Sequence, residues 1–247
     1  MSKFTLQNVR LFTSGADLTT VNNKVDLAPE VEEKDSTAFI PTGDAWKEAL
    51  GGLRSTKLMG SGQWEADDTV LGKVDDTSWT ALGAITPSTV CPATASVGSL
   101  AWLSGYLETQ YQLGGAVGDV APWSIAASGS WPLVRGVVGH DPGTARTATG
   151  TGTSIQIGTV PAGKSLYAAL HVLSVSGTTP SLTVAIQSDN ATGFPSPVTS
   201  LTFNAATSKG GQILRVAGPL TDDWARVSWT ISGTTPSFLF LVSLGIA

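Results

Sequence analysis

The sequence predicts a mainly β fold, a β-sandwich or partial barrel carrying one short α-helix. Three observations predict it. From Ser154 onward, short apolar runs rich in β-branched and aromatic residues alternate with clusters of turn residues. Within one run, Val227, Trp229 and Ile231 alternate with Arg226, Ser228 and Thr230, the period of a strand with one buried face. Helical spacing marks one short stretch, residues 43–50.

In chain order, Phe4 to Phe12 reads as a first strand or arm. The block Glu32 to Glu65 is the most informative. It opens on an acidic run containing Glu32, Glu33 and Asp35, just after Glu30. Thr42 then offers an N-cap hydroxyl, and Asp44 sits where the helix dipole favours negative charge. Trp46, Ala49, Leu50 and Leu53 give a narrow apolar face, and Gly51-Gly52 stop the helix. About two turns cannot stand alone in water, so this helix needs a surface, its own sheet or a neighbouring subunit. A strand follows with Leu58, Gly60, Gly62 and Trp64 on one side. Two glycines at that spacing mark a close approach, by the chain's own helix or tryptophan or by another protomer.

Beyond the block, Leu100 to Leu113 reads as a strand, and Trp123 to Val138 as a strand region interrupted by Ser-Gly-Ser. The later strands are Ser154–Gly158, Leu166–Val175, Ser181–Ser188, Ser200–Asn204, Gln212–Ala217, Ala225–Ile231 and Phe238–Leu244. Phe238 to Val242 is apolar on both faces, as in a central or interface strand. Ser176-Gly-Thr-Thr-Pro-Ser181 recurs as Ser232-Gly-Thr-Thr-Pro-Ser237. Each copy joins two apolar runs, as hairpin connections do, and reuse of one turn is simpler than an internal duplication. Asp141 to Thr153 is the best linker or long loop. The chain is therefore read as one domain over 1–247, with a possible subdivision into 1–140 and 154–247.

Charge is sparse: 13% of residues, against about 25% in ordinary domains. It is also lopsided, with 15 of 19 acids and 8 of 14 bases in residues 1–120. A long, weakly charged surface is poor for a free monomer and suits one covered by copies of itself. The single cysteine, Cys91, rules out an intrachain disulfide or a multi-cysteine zinc site. No apolar run reaches the roughly 18 residues of a membrane span, and the N-terminus lacks the pattern of a signal peptide. Asn190-Ala-Thr192 matches a glycosylation sequon, which without secretion is empty.

Motifs for chemistry are weak. Gly158-Thr-Val-Pro-Ala-Gly163-Lys164-Ser165 fits the phosphate-cradling P-loop pattern, but strand-like residues follow where a helix is required. The better reading is a hairpin turn, with Pro161 presetting φ and Gly163 closing it. His140-Asp141 has no nucleophile elbow to serve and reads as a loop histidine. Asp67-Asp68, Asp75-Asp76 and Asp222-Asp223 lack calcium-loop spacing and read as solvated turn acids. The eight tryptophans belong in core and interface rather than on a sugar platform. No enzyme activity and no cofactor are expected.

The blocks Asp35-Ser-Thr-Ala-Phe39, Ala45 to Leu53, Ser55 to Trp64, Tyr106 to Tyr111 and Val117-Gly-Asp119 together resemble the major tail (tail tube) proteins of long-tailed bacteriophages. The resemblance is a succession of elements rather than a catalytic signature, and the C-terminal half is less diagnostic. It implies a tail-tube β domain that closes sheets between subunits, six to a ring in that family's pattern, with rings stacked into a conduit for DNA ejection. It implies tape-measure, tail-terminator and baseplate partners, synthesis in the bacterial host cytoplasm, and residence in the virion tail. An acidic or neutral lumen fits, because Lys and Arg would bind passing phosphates and stall the DNA. On this reading Trp46, Leu50, Leu53, Leu58, Gly60, Gly62 and Trp64 are expected at subunit or ring interfaces. Glu65, Asp67, Asp68, Asp75 and Asp76 are expected at the lumen or between rings, and Glu30, Glu32, Glu33 and Asp35 in an inter-ring loop. The alternatives are a capsid decoration or tail-fibre module binding a capsid or glycan, and a glycan-cleaving enzyme, for which paired carboxylates are scarce.

Overall fold

The computed structural model describes residues 6–37, 47–65 and 74–247. Among them are β1 (Arg10–Thr13), β2 (Ala16–Asp17), β3 (Asn22–Asp35), β4 (Ala49–Gln63), α1 (Val74–Ala81), β5 (Ile85–Cys91), β6 (Leu100–Leu113) and β7 (Pro122–Gly129). There follow β8 (Val134–His140), β9 (Gly150–Thr151), β10 (Ile155–Gln156), β11 (Ser165–Asp189), β12 (Val198–Thr202), β13 (Gly210–Ala217) and β14 (Trp224–Ile246). The fold is mainly β, and all strand pairings are antiparallel. The main path through the sheet runs β12-β11-β14-β8-β6-β5-β1-β2 and is open at both ends.

The scaffold is the ribbon of β11 and β14, strands of 25 and 23 residues paired along nearly their whole length. The four apolar runs of the C-terminal half are therefore two strands, each folded in the middle. Trp229 and Phe240 lie eleven positions apart on β14, about 36 Å if the strand were straight. Their rings are 5.8 Å apart. The bend falls on the two Ser-Gly-Thr-Thr-Pro-Ser copies. They are not hairpin connections: Ser176 pairs with Ser237 and Ser181 with Ser232, so the copies lie antiparallel against each other. Thr179 and Thr235 take φ of 48° and 47°, and Gly177 and Gly233 take 113° and 120°. A side chain at Gly233 would meet the Thr179 carbonyl oxygen at 2.8 Å, and one at Gly177 the Thr235 carbonyl oxygen at the same distance. Each copy needs its glycine because the other copy's backbone fills the space.

The bend lets one core form between the ribbon's halves. Leu166, Ala168, Leu170, Val172, Phe238, Phe240, Val242 and Leu244 pack with Leu182, Val184, Ile186, Ala225, Val227 and Trp229. The opposite face of the first half is buried too. Tyr167 and Ala169 pack with Leu103 and Val134, and Leu241 packs with Phe12, Cys91, Ala101 and Val138. This burial on both sides is what the uninterrupted apolar run at Phe238 to Val242 encodes. Cys91 sits in that layer, and burial pushes its thiol up to about 12.

Polar groups in the layer are matched. His171 Nδ1–H donates to the Ser14 carbonyl at 2.8 Å, and its Nε2 accepts from the Thr89 hydroxyl at 2.8 Å. Thr89 Oγ1 and Ser243 Oγ are hydrogen-bonded at 2.8 Å. His140 is the last residue of β8 rather than a loop histidine. It stacks on Phe240 at 4.1 Å, donates from Nδ1 to the Phe240 carbonyl, and accepts from Arg146 Nε at 3.1 Å. Arg146 belongs to the 141–153 segment, which is thereby sewn onto β14, with mutual backbone bonds between Arg146 and Phe238.

The N-terminal half branches from β6. Its first residues pair with β8, and residues from Tyr106 onward pair with β7, which leads through β4 to β3. The chain turns between β7 and β8 over Gly105, where a side chain would meet Trp131 Cδ1 at 2.9 Å. Residues 47–50, the described part of the expected helix at 43–50, are not helical. Ala49 and Leu50 open β4, Gly51 and Gly52 lie inside it, and 43–46 fall outside the described residues. Cross-strand pairing of Ala49, Leu50 and Gly51 with Asp35, Lys34 and Glu33 outweighs a helix too short to be stable alone. The helix is α1, whose Val74, Ser78 and Ala81 are buried at helical spacing, with Asp75 and Asp76 in the first turn.

Gly233→Ala is expected to cost about 2–4 kcal/mol in urea unfolding, from the left-handed backbone and the carbonyl clash. Gly210→Ala, where a side chain meets nothing, is the control and should stay within about 0.5 kcal/mol. Burial pushes His140 and His171 down to about 4. Neutral imidazole then contributes stability that is complete above the unfolded value of 6.5 and lost as pH falls through about 4. Stability should therefore drop on acidification across this window, and His140→Phe should lessen the drop by up to about 3 kcal/mol.

Candidate assembly surface

The β3–β4 ribbon is the candidate surface. β3 pairs along its length with β4 and has no second neighbour among the described strands. β4 has β7 on its other side, but only over Lys57 to Gln63. Residues 29–35 and 49–55 therefore form a two-stranded ribbon about 23 Å long with no further described strand paired to it. Its apolar side chains are bare: Val31, Leu50 and Leu53 are 58%, 62% and 81% exposed. A lone pair of strands is marginal in water, which makes this segment the candidate for contact with another surface.

The ribbon is acidic with its charges partly paired. Glu30 faces Lys57 at 3.9 Å, Glu33 meets Lys47 at 2.6 Å, and Glu32 pairs with Lys34. Asp35 accepts from the Thr37 backbone at 2.9 Å, and hydrogen bonds from Thr37 hold its carboxyl below the ordinary value. Exposed pairs of this kind are worth at most about 1 kcal/mol each. Glu30, Glu32, Glu33 and Asp35 thus stand together on β3, an exposed edge rather than an irregular loop.

At the ribbon's root the picture reverses. Leu58 is 1% exposed and packs with Tyr106, Trp123, Ile125 and Ala127. Gly60 lies against Asn22 and Ile125, and Gly62 against the Val21 carbonyl. The close approach that the glycines signal is thus made by the chain's own backbone and side chains, neither helix nor tryptophan. Leu58, Gly60 and Gly62 serve the core, while Leu50 and Leu53 remain at the surface. Trp46 lies outside the described residues.

The acids after the glycine-rich strand also divide. Asp67 and Asp68 lie outside the described residues, and Glu65 is exposed. Asp75 is engaged inside the molecule: its carboxylate accepts from the Tyr111 hydroxyl and from Trp64 Nε1 at 3.4 Å, while Trp64 Nε1 also reaches Tyr111 Oη at 2.9 Å. Burial and the Asp75 carboxylate push the Tyr111 phenol up to about 12, so it stays a donor. This clamp ties α1 to the end of β4 and to β6. Asp76, beside it, is half-buried. Composition gave no sign of the clamp, because its partners are 11 and 36 residues from Asp75.

The pattern at Gly158 to Ser165 is a turn. Lys164 N–H donates to the Pro161 carbonyl at 3.1 Å, Gly163 has φ 80°, and β11 begins at Ser165. Neither buried histidine bonds to a carboxylate. No group of three metal-ligating side chains occurs among the described residues.

No protein-family model and no curated protein matches the chain. Solved structures similar to it include chains of gene transfer agent particles and phage proteins. One is a chain in the virion of a native gene transfer agent particle, with TM-score 0.43 and 18% identity over 53% of this chain and 97% of that one. Another is from the tail of an empty gene transfer agent particle refined with C6 symmetry, with TM-score 0.38 and 19% identity over 50% and 92%. A third is SPP1 Dit, a hub protein of the adsorption apparatus of phages infecting Gram-positive hosts, with TM-score 0.36 and 10% identity over 97% and 99%.

Asp75→Asn should release α1 without unfolding the sheet, costing about 1–2 kcal/mol through the loss of charge-assisted bonds. Hydrogen exchange should localise the loss to residues 74–81, with β11 and β14 unchanged.

Proposed function

We propose that the chain is a structural protein of a phage tail whose copies join through the β3–β4 ribbon. The exposed ribbon with its unpaired β3 edge is the observation that carries this reading. Fourteen residues of open edge strand would template uncontrolled pairing unless a neighbour covers them. A closed ring of identical copies covers every such edge at once.

The finer reading is the tail tube. Copies form rings, six in each, and rings stack into a conduit through which DNA passes without specific binding during ejection. Glu30, Glu32, Glu33 and Asp35 then lie between rings, and Leu50 and Leu53 seat on the neighbouring copy. Glu65, Asp67, Asp68 and Asp76 are the acids proposed for the lumen or the ring junction; Asp75 is committed to Tyr111 and Trp64. The chain acts as one unit over 1–247, with tape-measure, tail-terminator and baseplate proteins as its other partners and the virion tail as its location. The net charge of −5 supports a lining that does not hold DNA.

Negative-stain microscopy of the purified protein tests this. Tubes or stacked rings are expected from the native chain. Leu50→Asp combined with Leu53→Asp should abolish them while urea stability stays within about 0.5 kcal/mol per site, because both side chains are exposed in the single chain. Discrete particles that never stack would count for a decoration or fibre module instead. Assembly that survives the double substitution would remove the ribbon from the interface.

A further inference from the structure

Glu108 is the buried acid that neither the core nor the assembly surface uses. Its residue is 3% exposed, and its Oε1 has no hydrogen-bond partner. It stands at a bulge in β6, where the register against β7 shifts between Glu108 and Gln110. A bulge of this kind re-aims a side chain. The exit turn of α1 is hooked to the same residue: Gly83 N–H donates to the Glu108 carbonyl at 2.9 Å, and Glu108 N–H donates to the Ala84 carbonyl at 3.3 Å. A carboxyl group with one oxygen buried and unpartnered is thus held in the strand onto which the helix docks.

We propose that Glu108 is a protonation-controlled latch for α1: the neutral carboxyl stays buried and keeps the helix and its exit turn docked on β6, and ionisation drives it toward water and loosens them. An ionised carboxylate without a donor cannot remain in such a site at low cost. Among the described residues no compensating charge is at hand. The facing strand segments of β5 and β7 carry no Asp, Glu, Lys, Arg or His, α1 contributes only Asp75 and Asp76, and β6 itself adds Tyr106 and Tyr111. Asp75 is already committed to Tyr111 and Trp64, and any charge it exerts on Glu108 is repulsive.

The direction of the effect follows. Burial raises the Glu108 carboxyl from 4.5 to about 7. The docked state keeps its full advantage below the free value and loses it as pH rises through about 7. The opening constant of α1 should climb by close to tenfold per pH unit between about 5 and 7 and level off above. This is opposite in sign to the two histidines, which weaken the fold on acidification.

Hydrogen exchange of the full chain at a series of pH values, corrected for intrinsic rates, reads this directly. The expected result is loss of protection confined to residues 74–84 as pH rises. Glu108→Gln should flatten that profile, and Asp75→Asn should shift its level while leaving the slope. A flat wild-type profile, a Glu108→Gln profile that matches wild type, or a slope abolished by Asp75→Asn overturns the proposal. The wild-type chain provides a check that does not depend on any variant folding. With carbon-labelled glutamate, one of the six side-chain carboxyl resonances should titrate near neutral pH. If all six titrate as ordinary acids, the latch does not exist.

Discussion

The first half of the β11–β14 ribbon is buried on both faces, and the rest of the molecule is arranged around that burial. One face meets the ribbon's own second half; the other meets Leu103, Val134 and the layer around Phe12 and Leu241. A strand pair with no solvent face can carry polar groups only where partners wait for them. His171, Thr89 and Ser243 form such a set, and His171 reaches the Ser14 carbonyl 157 residues away. A half-satisfied network here would be worse than an apolar one. The chain's continuity from one half to the other therefore rests on a matched seam rather than on a tether.

The same constraint explains where charge is absent and where it gathers. Residues 121–247 hold few charges because so much of the C-terminal ribbon faces other protein. The acids concentrate on β3, at the edge farthest along the branch from the buried ribbon. Beyond β7 the β4 strand loses its second neighbour, and the pair continues alone with its leucines bare. The molecule is thus packed around its long ribbon and bare along the β3 branch. The proposed assembly would use that asymmetry: a rigid body that supports an edge whose partner comes from outside.

Much of this was legible in the residues. The bounds Leu100–Leu113 coincide with β6, and the alternation at Val227, Trp229 and Ile231 marks the inner face of β14. The glycines at 60 and 62 announced a close approach, and one occurs. Ala49, Leu50 and Leu53 satisfy a helical spacing, but β3 overrides it by pairing with Ala49 and Leu50. The actual helix has only eight residues and few apolar ones, so its periodicity is weak. What separates Leu50 and Leu53 from Leu58 is that the pairing of β4 with β7 stops at Lys57 and Ser128.

By itself the sequence determined the β class, the strand faces, the absence of disulfide staples and the crowding of acids into the first half. These follow from local composition and period, which a strand or turn reads within a few residues of itself. Only the tertiary structure decided that four apolar runs are two bent strands, that the repeated hexapeptides face each other, and that Asp75 and Glu108 are interior acids while Glu30 to Asp35 are not. Each of those depends on a partner between 11 and 60 or more residues away, and no local period records which distant backbone will fill the space beside a given residue.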